Sequence, residues 1–472
     1  MSEILTGTII FVLTYIAIAF EKQLKTDKTV AALAGGALMV FFILGHHQDS
    51  NLAGLSIWNR YADFDVIFLL CGMMIIVNIL RDSGIFQYVA IKCAKLGRGY
   101  PLPVLALLLV ATAALSAFLD NVTTVLLMAP VTLLVATEMR LNPVSFLIPE
   151  ILASNLGGTS TLIGDPPNIL VGSEGTKVFA WTLETAAGEA AARAVNFDFV
   201  AFLKVLTPLV VLVMGIFIAI LALALRKGIK VTAEERARIM ELDENAAITN
   251  PALMRKGLIV MGLTLLGFLT HGLTHLEPGV VAVAGATLLL LVTRSSVEES
   301  FAKVEWNTLF FFIGLFLVVK GASTAGLLDV LGKHLAALIG RPEAIAYIAP
   351  IIILWVSGLL AGIMNNVSFT LAALPIIRSL AFAFFGGDPA VDPVPVQAEP
   401  MYWALAIGAC FGGNLTPVGA AANLVVIGIA SRNGHNIGWG DYLKWGLPCA
   451  LGSLLLATAY LCGYVWLTQT AA

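Results

Sequence analysis

One stretch of the sequence, residues 154–172, constrains the fold more than any other, because it interrupts a long apolar run with helix-breaking residues. Gly157 and Gly158 are adjacent, and Pro166 and Pro167 each lack a backbone N–H and clash with the preceding turn. Inside a membrane, a break in the backbone survives only where it is buried in protein or lines a cavity. The stretch therefore predicts a membrane-spanning helix that is broken near its middle.

The composition excludes several classes of protein. Of the 472 residues, 59% are hydrophobic and only 12% are charged, which is typical of a chain with many membrane spans. The net charge of −3 gives no indication of a nucleic-acid partner. We find no nucleophile–base pair, nucleotide loop, cofactor motif or metal-ligand cluster, since the pair His271 and His275 has no third ligand nearby. The sequence predicts a protein that is not an enzyme and has neither a cofactor nor a metal.

The broken stretch occurs twice. Its residues Gly157, Gly158, Thr161, Gly164 and Asn168 match Gly412, Gly413, Thr416, Gly419 and Asn423, all 255 positions later. Residues 119–124 match residues 364–369, and residues 65–86 match residues 307–328. Three matched segments in the same order indicate an internal repeat, and paired broken segments in corresponding halves point to a transporter binding site.

The predicted architecture is an all-α polytopic membrane protein of two inverted repeats, with about 10 spans plus 2 hairpins. Residues 1–225 form the first repeat half, residues 226–256 a cytoplasmic linker, and residues 257–472 the second half. Each half contains a broken transmembrane helix and a re-entrant hairpin, and the hairpins cover residues 102–137 and 347–376. Broken segments of this kind expose helix ends that can hold ions.

The distribution of Lys and Arg predicts the orientation. Placing the N-terminus outside puts most basic loop residues, including those of the linker, on the cytoplasmic side of the plasma (inner) membrane. In this orientation segment 65–80 runs inward while its repeat partner, segment 307–322, runs outward. The two hairpins then enter from opposite sides, which is typical of alternating access.

Two polar clusters are predicted to face each other near the middle of the membrane. The first contains Asp120, Asn121, Thr123, Asn155, Gly157, Thr159, Thr161, Asp165 and Asn168. The second contains Asn365, Asn366, Ser368, Cys410, Asn414, Thr416 and Asn423. Amides, hydroxyls and freed carbonyls are hard oxygen ligands, which suit sodium or hydrogen bonds to a small oxyacid such as arsenous acid.

The matched carboxylates lie in the first half alone. Asp120 matches Asn365, and Asp165 matches Ala420. Burial in a membrane favours the neutral form of a carboxyl group, so these two residues are predicted to carry the coupling proton. Glu150 lies one turn before Asn155 and either shares this role or has a structural one.

Cys410 replaces the Asn155 position in the second repeat. A thiol is a soft ligand and suits trivalent arsenic, which is also soft. The alternative interpretation of Cys410 is that a small residue is needed there for packing.

The motifs resemble the ArsB/NhaD permease branch of the ion transporter superfamily, which includes arsenite permeases, sodium/proton antiporters and P protein-like transporters. The resemblance covers nearly the whole chain. It is carried by the segments 119–124, 155–158, 163–168, 304–306 and 408–414. It implies two inverted repeats, each with a hairpin and a broken helix, and often a homodimer. Because the sequence contains no nucleotide loop, any ATP drive would need an accessory ATPase subunit.

The leading hypothesis is a proton-coupled antiporter that exports a small inorganic solute, with arsenite or antimonite first, and so confers arsenical resistance. A sodium/proton antiporter (Na+/H+) is the second hypothesis, and a cation-coupled anion or carboxylate transporter is the third.

Overall fold

The computed structural model describes residues 2–47, 61–185, 197–226, 229–274, 276–340, 344–387 and 394–470. Within these ranges all regular elements are helices. The first half contains α1 (Ser2–Ala19), α2 (Glu21–Leu24), α3 (Lys28–Met39, continued by a π-helical turn, Val40–Leu44), α4 (Phe64–Asp82), α5 (Ile85–Leu96), α6 (Pro101–Ser116), α7 (Asn121–Glu138), α8 (Val144–Gly158), α9 (Pro166–Thr185) and α10 (Phe199–Leu225).

A short helix, α11 (Ala233–Glu241), and a 3₁₀ turn (Asn245–Ala247) follow. The second half contains α12 (Pro251–Thr274), α13 (Pro278–Thr293), α14 (Val297–Ala302), α15 (Trp306–Thr324), α16 (Leu327–Ile339), α17 (Ile345–Met364), α18 (Asn366–Phe385), a 3₁₀ turn (Val396–Ala398), α19 (Glu399–Gly412), α20 (Ala421–Arg432) and α21 (Trp439–Thr470).

Eight of the described helices are long and apolar enough to cross a membrane, and shorter apolar helices complete the bundle. The predicted all-α polytopic architecture is therefore confirmed. The predicted boundary at residue 257 falls inside α12, which begins six residues earlier at Pro251, and the division into two halves otherwise stays a prediction.

Helix α4 of the first half and its repeat partner in the second half, α15, run in opposite directions. The end of α4 lies beside the start of α15, because Asn78 donates to the Lys303 carbonyl over 3.0 Å and Lys303 pairs with Asp82. Matched helices whose opposite ends meet are antiparallel, so the two repeats are inverted.

The two halves pack against each other through α3 and α4 of the first half and α13 and α15 of the second half. Helix α3 packs on α15 of the other half, and α13 packs on α4 in the same way. Glycines bring the backbones together, since a Cβ on Gly314 would overlap Ala32 and one on Gly72 would overlap Ala282. Small residues of this kind allow the close approach that stabilises helix pairs in membranes.

Both re-entrant hairpins end in a capped turn. Helices α6 and α7 form the first, and the Asp120 side chain caps α7 by accepting from the Thr123 N–H over 3.0 Å. Helices α17 and α18 form the second, and Asn365 caps α18 by accepting from the Val367 N–H over 3.2 Å. Asn365 has a positive φ of 85°, which Asn adopts more often than most other residues with a side chain.

The segment after α10 docks on the first half. Arg236 lies over the Tyr100 ring at 3.9 Å, and Glu244 pairs with Lys92 and Lys95. Hydrogen bonds from Lys95, from the backbone N–H of Glu244 itself and from Lys92 lower the pKa of Glu244 to about 2. The linker is thus held against α5 and the base of the first hairpin.

Candidate functional site

Each broken helix has a non-helical segment at its middle. The first segment covers residues 159–165, between α8 and α9, and the second covers residues 413–420, between α19 and α20. Asn168 holds the first, because its Nδ2 lies 3.0 Å from the Thr159 carbonyl and 2.8 Å from the Thr161 carbonyl. A side-chain amide here replaces the helical hydrogen bonds that the glycines and prolines interrupt.

The second segment is held in the same way. The Asn423 Nδ2 lies 2.8 Å from the Gly413 carbonyl and 2.9 Å from the Thr416 carbonyl. The repeated Asn predicted from the sequence is therefore the residue that closes each break.

A hydroxyl joins each break to its own hairpin. Thr161 donates to the carbonyl of Ala117, which directly follows α6 of the first hairpin. Thr416 donates to the Gly362 carbonyl of the second hairpin over 2.5 Å. Because these hydroxyl protons are used by backbone carbonyls, Thr161 and Thr416 position the breaks and hairpins relative to each other.

Asn155 lies at the centre of the site and connects the halves. Its Oδ1 accepts from Asn121 over 3.1 Å. Its Nδ2 lies 2.8 Å from Asn414 Oδ1 and 2.9 Å from Asn423 Oδ1. Its backbone carbonyl accepts from the Thr159 hydroxyl over 2.9 Å. Thr159 and Asn414, which the sequence analysis places in opposite clusters, thus share one hydrogen-bonding partner.

A second set of contacts crosses between the halves at Asp165. The Asn366 Nδ2 lies 3.3 and 3.4 Å from the two carboxylate oxygens of Asp165. The Cys410 thiol lies 3.4 Å from Asn168 Oδ1 and also contacts Asp165 and Thr159. The Asp165 carboxyl group is fully buried. The tip of the second hairpin therefore meets the break of the first half.

The two hairpin tips enclose a small cavity of about 50 Å³. It is lined by polar residues of the tips and of the first break, and by apolar residues of α4 and α15. The polar lining consists of Asp120, Asn121, Asp165, Asn365, Asn366, Thr308, Glu305 and Lys28. Among the described residues of this lining, Lys28 is the one cation, and its Nζ lies 5.1 Å from the centre of the Phe311 ring.

Glu305 and Lys28 are site residues that the sequence analysis missed as such. Glu305 precedes α15 and accepts from the Thr308 hydroxyl over 3.2 Å. The signal was present, because Glu305 lies in the motif segment 304–306 and falls 242 positions after Asp63. Carboxylate side chains at matched positions before α4 and α15 are therefore the sequence signal that identifies Glu305 as a candidate site residue.

The remaining predicted site residues have other surroundings. Gly157 packs against Ala113, where a Cβ would overlap the backbone of the first hairpin. Thr123 donates to the Asp120 carboxylate that caps its own helix. Ser368 is buried, and its carbonyl accepts from the Tyr15 hydroxyl of α1 over 2.9 Å.

Glu150 is buried outside the small cavity. Its Oε1 accepts from Thr132 over 2.8 Å and from Thr112 over 3.3 Å. It thus lies inside the first hairpin and broken-helix bundle and does not line the small cavity.

A larger cavity of about 940 Å³ opens at the start of α4, whereas the linker contacts the other end of α4 through the hydrogen bond from Thr249 to the Asp82 carbonyl. Its lining mixes both signs of charge. The charged residues are Asp63, Asp65, Glu174, Glu277, Asp329, Lys320 and Arg378. Leu170 of α9 and Leu371 of α18 also line it, and they lie five and six residues beyond the end of the first break and the second hairpin tip. We call this cavity the vestibule.

Inverted repeats, two broken helices and two opposed hairpins around a polar centre define a membrane-embedded secondary transporter. Comparison with known proteins agrees. The model of the family described as citrate transporter, CitMHS, matches residues 15–408, and the chain belongs to this family within the ArsB/NhaD-type ion transporter superfamily.

Relatives and a solved structure support this assignment. An uncharacterized transporter of Mycobacterium bovis, Mb2703, is 40% identical over 456 residues, which are 96% of each chain. The human P protein is 30% identical over 516 residues, covering 98% of this chain and 60% of its own. The crystal structure of the YdaH transporter of Alcanivorax borkumensis, described as having an unusual topology, matches with a TM-score of 0.52 at 16% identity, covering 98% and 99% of the two chains. This last likeness shows the fold.

Proposed function

We propose that the chain is a proton-coupled secondary transporter that exports a small inorganic solute, with arsenous acid and its antimony analogue as the first candidates. The observation that carries the proposal is the small cavity between the hairpin tips, where Asp120, Asp165 and Glu305 meet two facing sets of amides. A carboxyl group inside a membrane is a functional residue by default.

The proposed proton carriers are Asp120 and Asp165. Both line the same cavity, and Asp165 is fully buried beside the Asn366 amide. An amide N–H can donate to a carboxylate and also lies beside a neutral carboxyl group without charge repulsion. The pair can therefore exist with or without the proton, which a coupling site requires.

The solute is proposed from the size and charge of the cavity. A volume of about 50 Å³ is close to that of one or two waters. Three carboxyl groups and one ammonium group surround it, so an anion with several charges would be repelled. A small neutral oxyacid would instead exchange hydrogen bonds with the amides of Asn121, Asn365 and Asn366. The neighbouring Cys410 thiol is a soft ligand that suits trivalent arsenic.

The other proposed ligands belong to the hydrogen-bond network beside this cavity and do not line it. They are Asn155, Thr159, Asn168, Asn414 and Asn423, with Gly157, Thr123, Thr161, Ser368 and Thr416 positioning the broken helices and hairpins around this network.

Sodium/proton antiport is the second candidate. Carboxylate and amide oxygens are hard ligands that suit sodium, and the cavity offers both.

A cation-coupled carboxylate transporter is the third candidate. It is favoured by the family description and by the vestibule, where Lys320 and Arg378 could pair with an organic anion.

The proposed setting is the plasma membrane, with the N-terminus outside and the linker in the cytoplasm, where basic residues are retained. The linker face carries Lys92 and Lys95, which agrees with this orientation. The vestibule then opens outward, and the two inverted halves exchange access to the centre. A homodimer and an accessory ATPase are proposals from the family resemblance alone.

The test is transport by the purified protein in liposomes with an imposed pH gradient, using arsenous acid, sodium and citrate in separate assays. We expect proton-driven movement of arsenous acid that is lost on collapse of the gradient. Cys410→Ser is the discriminating variant, because it should weaken the apparent affinity for arsenous acid while leaving any sodium flux unchanged. Movement of citrate or sodium, with none of arsenous acid, would overturn the leading proposal in favour of the matching alternative.

A further inference from the structure

A ladder of buried polar side chains runs along α8 toward the centre of the site. Its first rung is Glu150, which contacts Thr112 and Thr132. The second rung lies one turn further along, where the Ser154 Oγ is 3.2 Å from the Ser116 Oγ. All five side chains are at most 1% exposed.

The ladder ends at the central network. The Ser154 Oγ also lies 3.2 Å from the Asn121 carbonyl, and the Asn121 side chain donates to Asn155. Residues four apart on a helix lie on the same face. The two rungs therefore lie one helical turn apart on the same face of α8, between the buried end of the ladder at Glu150 and the hairpin tip.

The second half has no such ladder. Adding the repeat shifts of 255 for α8 and 245 for the hairpin arms, Glu150 matches Leu405, Thr132 matches Ile377 and Ser116 matches Ala361. Among the hydroxyl residues of the ladder that lie outside α8, only Thr112 matches another hydroxyl residue, Ser357. Packing of the repeat scaffold thus does not need a carboxyl group at this position, because the matched helix packs with Leu405 fully buried.

One oxygen of Glu150 is left without a partner. Its Oε1 accepts from both threonine hydroxyls, while its Oε2 is buried and has no hydrogen-bond partner among the described atoms. A buried polar atom without a partner costs free energy, so it needs an explanation. A proton on Oε2 neutralises the carboxyl group, and burial costs much less free energy for the neutral form than for the charged form.

We propose that Glu150 is a second proton-binding site, which exchanges a proton with the central site through the ladder during the transport cycle. This inference rests on the proposed proton coupling and adds a residue outside the central cavity to it. The described groups that face its carboxyl group are the hydroxyls of Thr112 and Thr132, so hydroxyls alone hold the charge after the proton leaves.

The step moves one proton. The O–H bond at Oε2 breaks, a carboxylate of the central site, Asp120 or Asp165, accepts the proton by forming an O–H bond, and the Glu150 carboxylate remains with Oε1 accepting from both threonines. Reloading reverses this step. The hydroxyls of Ser116 and Ser154 and the carbonyl of Asn121 offer the next acceptors toward Asp120 and Asp165.

The first experiment needs no substrate. Infrared difference spectra of the reconstituted protein are recorded between two pH values, and the carboxylic acid C=O band is followed. We expect one titrating band that is lost in Glu150→Gln, shifted in Glu150→Asp, and retained in Asp120→Asn and Asp165→Asn. An identical set of bands in wild type and Glu150→Gln would overturn the proposal, whatever the protein transports.

The second experiment separates proton transfer from structure. Glu150→Gln and Glu150→Leu, the latter copying the second half, are compared in proton-driven uptake and in solute counterflow without a pH gradient. We expect loss of proton-driven uptake, with counterflow retained, and partial recovery in Glu150→Asp. Full proton-driven uptake in Glu150→Leu would show that the carboxyl group is only structural. Absence of both activities in the wild type would count against the proposed solute and leave the infrared result to decide on Glu150.

Discussion

The two halves of this protein share one scaffold and differ in where they place charge. In both, an Asn closes the broken helix, and a Thr joins the break to the hairpin. The first half carries Asp165, Asp120 and Glu150 where the second has Ala420, Asn365 and Leu405. The shared contacts are those that any inverted pair of broken helices needs, and the differing ones are the titratable groups.

This comparison indicates that the residues that hold the broken helices and hairpins in place differ from the residues that we propose to bind the coupling proton. The contacts between halves follow the same logic, because the Cys410 thiol reaches Asn168 as Asn155 reaches Asn423 from the other side. An approximate twofold axis thus passes through the amide network. Asp120, Glu150 and Asp165 lie off this symmetry, whereas Glu305 of the second half matches Asp63 of the first, and we infer that the proton is handled by the three unmatched groups of the first half.

The largest expected effect comes from removing that asymmetry at its centre. We predict that Asp165→Asn abolishes proton-driven transport while the protein stays folded, because the amide keeps the shape but cannot load a proton. Asp120→Asn, which copies the second hairpin, should behave similarly. The measurement is solute uptake into inverted vesicles, with thermal unfolding in detergent as the check on folding.

Asp441→Asn is the matched control, since Asp441 is an exposed carboxylate that caps α21. It should transport as the wild type does. Full proton-driven uptake by both Asp165→Asn and Asp120→Asn would remove the proton-carrier assignment.

The shared scaffold predicts equal damage at matched glycines. Gly157→Ala and Gly412→Ala each place a Cβ against the backbone of their own hairpin, at Ala113 and Gly358. Overpacking of this kind costs about 1–3 kcal/mol. We expect both variants to unfold at lower temperature than the wild type, and by similar amounts.

Gly428→Ala is the control for these variants, because a Cβ at Gly428 meets nothing within 4 Å. It should be neutral or slightly stabilising, since Ala is the better helix former. A large loss in only one of Gly157→Ala and Gly412→Ala would break the comparison of the halves.

The hairpin tips should contribute unequally to affinity. Asn121→Ala leaves the Asn155 Oδ1 without its donor, and Asn366→Ala leaves the Asp165 carboxylate without its amide. Loss of a buried partner costs about 1–3 kcal/mol, and more for a charged group. We expect both to weaken apparent solute affinity, Asn366→Ala more strongly, in counterflow assays at varied concentration. Unchanged affinity and rate in either variant would make that tip structural.

The smallest effect concerns the linker, which contacts the first half. The pKa of Glu244 is lowered to about 2 from 4.5, so its contribution is present above about pH 4.5 and is lost as the pH falls toward 2. We predict that Glu244→Gln lowers the hydrogen-exchange protection factors of α11 between pH 6 and 8, where those of the wild type do not change with pH because Glu244 stays ionised. High salt should reduce the difference by screening the ion pairs. Equal exchange in both proteins at low salt would contradict the prediction.

The sequence by itself determined the class of fold. Apolar runs that span a membrane are favoured as helices, and the adjacent Gly157 and Gly158, followed by Pro166 and Pro167, favour an interruption of one. The repeat shifts then predicted which residues match, and the structure confirms the all-helical inverted architecture. The resemblance carried by these motifs agrees with the family match.

Only the tertiary structure decided which predicted residues serve the site and which hold the scaffold. Thr161 and Thr416 read as ligands, yet their hydroxyls bond to hairpin carbonyls. Glu305 and Lys28 line the same cavity because α3 and α15 of opposite halves pack together, as the hydrogen bond from the Thr29 hydroxyl to the Asn307 carbonyl shows. Sequence spacing orders residues along one helix, whereas packing between helices sets which side chains share a cavity.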